Sequence, residues 1–135
     1  MSDAAQPGAP AHEVGVLTVD DQASFRSAAR AVVAATPGFR ALGEAASAAE
    51  ALAAAEAVPP ELVLMDVRMP GTDGIDTTRR LLARWPQTVV VLVSAGALDR
   101  LPPACGTCGA VAVLAKQDLR PRALIELWRR HGPAR

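Results

Sequence analysis

The chain has 135 residues, about the length of one domain built on a single core. Half of it is hydrophobic and fourteen basic residues balance fourteen acidic ones, which excludes a disordered chain and leaves no basic excess to draw in nucleic acid or an anionic membrane. Aromatic residues make up 3%, too few for a base-stacking surface, and no run approaches the roughly 20 apolar residues of a membrane helix, so a soluble cytoplasmic protein is expected.

Residues 1–12, rich in Ala, Pro and Gly, read as a flexible tail, and residues 1–11 lack the basic start and apolar run of a signal peptide. Val14-Gly15-Val16-Leu17-Thr18-Val19 reads as a buried strand ending in Asp20-Asp21. Asp21 is placed to cap a helix in which Phe25, Ala28, Ala29 and Val32 recur at helical spacing, stopped by Thr36-Pro37-Gly38. Phe39 to Glu44 is a weaker strand. Ser47 then caps an Ala-rich helix, Ala48 to Ala57, which Val58-Pro59-Pro60 closes. Glu61 to Asp66 is a second strongly apolar strand ending in an acid, followed by the loop Met69-Pro70-Gly71-Thr72-Asp73-Gly74. The next helix lines up Ile75, Thr78, Leu82 and Trp85. Thr88 to Val93 is another buried strand, with Ser94 at its end.

From Ala97 to Leu101 a helix can start, but Pro102-Pro103 distorts or stops it. Val111 to Ala115 is the last strand, ending at Lys116, the only lysine in a chain whose other basic residues are all Arg. Leu119 to His131 is the last helix, with Leu124, Leu127 and Trp128 inward and Arg129, Arg130 and His131 at its carboxyl end. Residues 132–135 form a short tail, which leaves 13–131 as one domain. Five strand–helix repeats with uninterrupted apolar strands predict a parallel sheet buried on both faces, an open doubly wound α/β fold.

Four of the five strands end in residues suited to phosphate or metal chemistry: Asp20-Asp21, Asp66, Ser94 and Lys116. Open α/β sheets bind ligands at the carboxyl ends of their strands. With strand order 2-1-3-4-5 the third strand is central and the four loci converge on one pocket. Three carboxylates there repel one another, which a hard divalent cation resolves, and an all-oxygen set favours Mg²⁺ over zinc. A carboxylate beside Mg²⁺, a hydroxyl and an ammonium suits phosphoryl acceptance.

At these residues the chain resembles the receiver domains of bacterial two-component response regulators. The matching pieces are Val19-Asp20-Asp21, Leu64-Met65-Asp66-Val67-Arg68-Met69-Pro70-Gly71-Thr72-Asp73-Gly74, Val93-Ser94-Ala95 and Leu114-Ala115-Lys116. The loop after Asp66 and the run Lys116-Gln117-Asp118-Leu119 are most like receivers of LuxR/NarL-type regulators. The resemblance spans about Val14 to His131 and implies the flavodoxin-like, CheY-like fold with sheet order 2-1-3-4-5. It implies Asp66 as phosphoacceptor from a sensor histidine kinase. It further implies Mg²⁺ on Asp20, Asp21, Asp66 and the Arg68 backbone carbonyl, with Ser94 and Lys116 contacting the phosphoryl group and conveying the switch. An output protein or fused DNA-binding domain and a phosphorylation-dependent dimer follow from the same resemblance, whereas catalysis beyond self-phosphorylation and self-dephosphorylation does not.

Three positions differ from the family pattern. Val113 and Leu114 stand where an aromatic switch residue is usual, Gln117 follows the lysine where Pro is common, and Pro102-Pro103 interrupts the fourth helix. These departures keep an alternative in view, a receiver-fold interaction module without phosphorylation control. A phosphatase using Asp66 is disfavoured because Arg68 stands where a second Asp is needed. A nucleotide enzyme is disfavoured because no glycine-rich phosphate loop follows the first strand. Cys105-Gly106-Thr107-Cys108 reads as a loop cysteine followed by a packed one, rather than as half of a zinc or redox site.

Overall fold

The computed structural model describes residues 12–69 and 71–133. Five strands form one parallel sheet: β1 (Val14–Val19), β2 (Phe39–Ala45), β3 (Leu62–Asp66), β4 (Val89–Ser94) and β5 (Ala112–Ala115). Their order is β2-β1-β3-β4-β5, with β3 at the centre. The helices are α1 (Ala23–Ala35), α2 (Ala48–Ala57), α3 (Gly74–Arg84) and α4 (Pro121–His131).

Side-chain alternation along the strands builds two cores. Leu17, Val19, Val63, Met65, Val90 and Leu92 pack with Ala51 of α2 and with Ile75 and Leu81 of α3. Val14, Val16, Leu62, Leu64, Val89 and Val91 pack with Ala29 and Val33 of α1 and with Leu124 of α4. Helices therefore cover both faces, which is why β1, β3 and β4 are apolar at nearly every position. Each fully buried Leu or Val contributes about 1.5–3 kcal/mol to that cover.

The helix boundaries have local causes. Ser47 Oγ accepts the Glu50 N–H at 3.2 Å, and Glu50 Oε1 accepts the Ala46 N–H at 2.8 Å, a reciprocal cap on α2. Asp73 caps α3 by accepting the Asp76 N–H at 2.7 Å. At α1 the expectation fails: the cap position is Gln22, Asp21 is exposed, and Ala28 faces solvent while Ala29 and Val33 are buried. Phe25, Ala29 and Val32 do pack on the core as the spacing predicts, and only Ala28 of the expected face is exposed.

The fourth crossover contains no α-helix, so among the described residues the fourth of the five expected strand–helix repeats lacks its helix, while β5 is followed by α4. Two 3-10 turns, Leu98–Arg100 and Pro103–Gly106, stand there. Two consecutive prolines remove two N–H donors and restrict the residues before them, which leaves single turns rather than a ladder. Cys105, expected on an open loop, is buried with Cys108 in the α2–α3 core. Burial and then the neighbouring Cys108 push the Cys105 thiol above its ordinary pKa, which suits packing rather than reactivity. β5 lies at the sheet edge and is half-buried throughout, with less cover than β1, β3 and β4. A 3-10 turn, Lys116–Asp118, precedes α4, which starts at Pro121 rather than at Leu119.

The amino-terminal tail expected over 1–12 lies outside the described residues except for His12, whose ring nitrogen pairs with the Glu61 carboxylate at 2.7 Å. Of the expected tail 132–135, Gly132 donates its N–H to the Trp128 carbonyl at 2.8 Å, and residues 134–135 lie outside the described residues, as does Pro70 of the loop after β3.

Candidate functional site

Parallel strands in this order bring the carboxyl ends of β1, β3, β4 and β5 to one edge of the sheet. Asp20 follows β1 directly and is fully buried. Its backbone is fixed on both sides, by its N–H on the Ala45 carbonyl at 2.9 Å and by Arg26 donating to its own carbonyl at 2.8 Å. Its Oδ1 accepts the Gln22 N–H at 2.8 Å. Its Oδ2 lies 2.5 Å from Lys116 Nζ, a close ion pair that is not aligned as a hydrogen bond. A buried carboxylate oxygen without a hydrogen bond carries a desolvation cost that a cation would relieve.

Asp66 ends the central strand. Its Oδ1 accepts the Arg68 N–H at 3.3 Å, and its Oδ2 lies 3.7 Å from Lys116 Nζ. Burial first, then the Asp20 charge, push its pKa up to about 6, against the pull of Lys116 and of the Arg68 N–H. The chain turns after Asp66 through a two-residue ladder, Arg68–Met69 against Thr72–Asp73. Gly74 then returns to the strand end, donating its N–H to the Val67 carbonyl at 2.8 Å. A Cβ on Gly74 would stand 1.9 Å from the Asp66 carbonyl oxygen, so only glycine permits this approach.

Asp21 projects at the rim. One carboxylate oxygen from each of Asp20, Asp21 and Asp66 lies within 4.8 Å of the others, a set able to hold a metal ion. All the donors are oxygens, which suits a hard cation such as Mg²⁺, and the orphaned Asp20 Oδ2 supplies a ligand atom with no competing hydrogen bond. Ser94 lies opposite, its Oγ accepting the Gly96 N–H at 3.2 Å. Asp21, Asp66, Arg68, Ser94 and Lys116 line one cavity of about 500 Å³. Arg100, from the first 3-10 turn, lines it as well.

The structure therefore brings Asp21, Asp66, Arg68, Ser94 and Lys116 to one cavity, with Asp20 in contact with Lys116. Val113 is set apart: it lies on β5, half-buried against the α2–α3 core. Sequence reasoning missed three residues that shape the site. Gln22 Oε1 accepts from Lys116 Nζ at 3.4 Å, the same ammonium sits 4.7 Å from the centre of the Phe25 ring, and Gly74 packs on Asp66. Gly74 had a readable signal, a glycine closing a short turn after an acidic strand end. Phe25 looked like one more core position on α1.

A model of the response regulator receiver domain matches residues 16–128. Among curated relatives, protein-glutamate methylesterase/protein-glutamine glutaminase 5 of Anaeromyxobacter dehalogenans is 37% identical over 123 residues, which cover 89% of this chain and 33% of that protein. Response regulator GacA of Pseudomonas protegens is 37% identical over 103 residues, covering 76% of this chain and 48% of that protein. The chain thus spans less than half the length of these relatives. Among solved structures, the signal receiver domain of a NarL response regulator from Mycobacterium tuberculosis aligns with a TM-score of 0.79 at 27% identity, over 88% of this chain and 98% of that one. The response regulator domain of Thermotoga maritima CheB aligns with a TM-score of 0.75 at 25% identity, over 92% of this chain and 99% of that one. With the family match running from β1 to α4, the chain belongs to the response regulator receiver domain family.

Proposed function

We propose that the chain is a phosphorylation switch that takes a phosphoryl group onto Asp66 from a phosphohistidine of a sensor histidine kinase and passes the change to an output partner. The observation that carries this reading is the Asp66 carboxylate, at the end of the central strand on an open cavity and within 3.7 Å of the Lys116 ammonium. In the transfer, an Asp66 oxygen bonds to phosphorus as the phosphorus–nitrogen bond of the donor breaks, and the imidazole takes up a proton. Lys116 then turns toward the new phosphoryl oxygens. Ser94 Oγ gives up its turn contact with Gly96 and donates to another of them.

Asp20, Asp21 and Asp66, with the Arg68 carbonyl, are the residues that would hold Mg²⁺. When bound, the ion offsets the charge of the carboxylates and of the transferring group. The chain's own task is to keep these groups in place, and it acts as a switch in the cytoplasm rather than on a substrate of its own. The test is intact mass after incubation with Mg²⁺ and acetyl phosphate or a phosphorylated kinase. The wild type gains one phosphate and Asp66→Asn gains none. Equal gain by the variant overturns the assignment of Asp66, and no gain by the wild type with active donors overturns phosphoryl acceptance itself.

A further inference from the structure

Lys116 is clasped from one direction. Asp20, Gln22 and Phe25 lie within six consecutive residues at the start of α1, and all three contact its ammonium: Asp20 Oδ2 at 2.5 Å, Gln22 Oε1 at 3.4 Å and the Phe25 ring centre at 4.7 Å. Asp66 is the more distant carboxylate, at 3.7 Å. The Lys116 side chain is only 12% exposed, so little water competes for the charge and the ring face is an effective partner. Phe25 is itself partly buried and packs against the α1–α4 core. In this arrangement the ammonium occupies the one buried Asp20 oxygen that has no hydrogen bond, the same oxygen a cation in the acidic cluster would need.

We propose that Phe25 is a positioning residue that holds Lys116 on Asp20, so that a cation in the acidic cluster must compete with a lysine anchored by the ring. The inference rests on the reading of Asp20 and Lys116 given above. It extends that reading to an aromatic on α1, in a chain whose β5 carries Val113 and no aromatic.

Mg²⁺ titration of the full chain by calorimetry, at constant pH and ionic strength, tests this. Phe25→Leu keeps apolar bulk but removes the ring, and should bind Mg²⁺ about two- to fivefold more tightly, the range expected for one lost contact of this kind. Phe25→Met should reproduce that shift, and Phe25→Tyr, which keeps a ring, should match the wild type. In a Lys116→Met background, Phe25→Leu should leave Mg²⁺ affinity unchanged, because the partner of the ring is already gone. Unchanged or weaker affinity in both ring-less variants, or the same shift with and without Lys116, overturns the proposal. Intact mass after phosphodonor treatment separates the two readings: an affinity shift without phosphate uptake keeps this inference and removes the phosphoacceptor, and uptake without a shift does the reverse.

Discussion

Burial and the facing Asp20 carboxylate raise the Asp66 pKa to about 6, and this has a consequence for stability in the absence of metal. From about pH 4 to pH 6 the folded chain keeps a proton that an unfolded Asp has already released. Stability contributed by this group is therefore full at low pH, is lost as pH rises through that window, and is level above it. Asp66→Asn removes the loss, so the metal-free variant should be more stable than the wild type at pH 7 by about 1–3 kcal/mol, the gap closing toward pH 4. Urea denaturation in chelator across that range checks it, and parallel curves for the two proteins would contradict it. Gly74 makes the opposite case. Gly74→Ala drives a methyl group into the Asp66 carbonyl, which should cost about 1–3 kcal/mol by overpacking and slow phosphate uptake by displacing the strand end. Denaturation together with the rate of mass gain measures both. A stable variant with normal uptake would show that Gly74 does not position Asp66.

Among the elements, the segment between β4 and β5 sets this chain apart. Ala95 to Arg100 are exposed, and the two 3-10 turns of the segment are held by short-range backbone bonds, such as the Arg100 N–H on the Ala97 carbonyl at 3.2 Å and the Cys105 N–H on the Pro102 carbonyl at 3.0 Å. Ser94 leads into this segment through its contact with Gly96, so drawing the Ser94 hydroxyl to a phosphoryl group loosens the first link of the loop. Val113 is β-branched and stiff at χ1, and cannot sweep out a large pocket beside it. Amide hydrogen exchange with and without beryllofluoride, a phosphoryl mimic, should change most between Ala95 and Gly109. Unaltered exchange there, with the mimic bound, would place the output on another element. This segment was also the least legible part of the sequence. Pro102-Pro103 announced that a helix would fail, but local propensity does not say which turns replace it. The burial of Cys105 is a tertiary outcome, fixed by the α2–α3 core it meets. The central strands were legible because burial on both faces leaves uninterrupted apolar runs, whereas the edge strand β2, with Arg40 and Glu44 in it and partly exposed, was weaker because an edge needs less cover. The acidic pair, Asp66, Ser94 and Lys116 were legible because each ends a strand. The clasp on Lys116 was not, since Phe25 reads correctly as a core-facing position and nothing local to it announces a lysine that arrives from the end of β5.

At the scale of the whole molecule, the sheet gathers scattered residues into one site without any of them being close in sequence: Asp20 and Lys116 are 96 positions apart and form an ion pair. The acidic cluster is able to hold a cation, and under the function proposed above replacing Asp20 and Asp21 together by Ala should abolish Mg²⁺ binding in calorimetry. Undiminished affinity would remove both from the site. Under the function proposed above, this gathered site makes Asp66 a phosphoacceptor, and the modification leaves a chemical mark that can be read directly. An acyl phosphate on an aspartate is reduced by borohydride to homoserine, a mark that survives proteolysis. After treatment with Mg²⁺ and a phosphodonor and then borohydride, peptide mass spectrometry should find homoserine at position 66, dependent on the donor and at no other Asp. Homoserine at a different Asp, or none at position 66 while intact mass shows bound phosphate, would contradict the account.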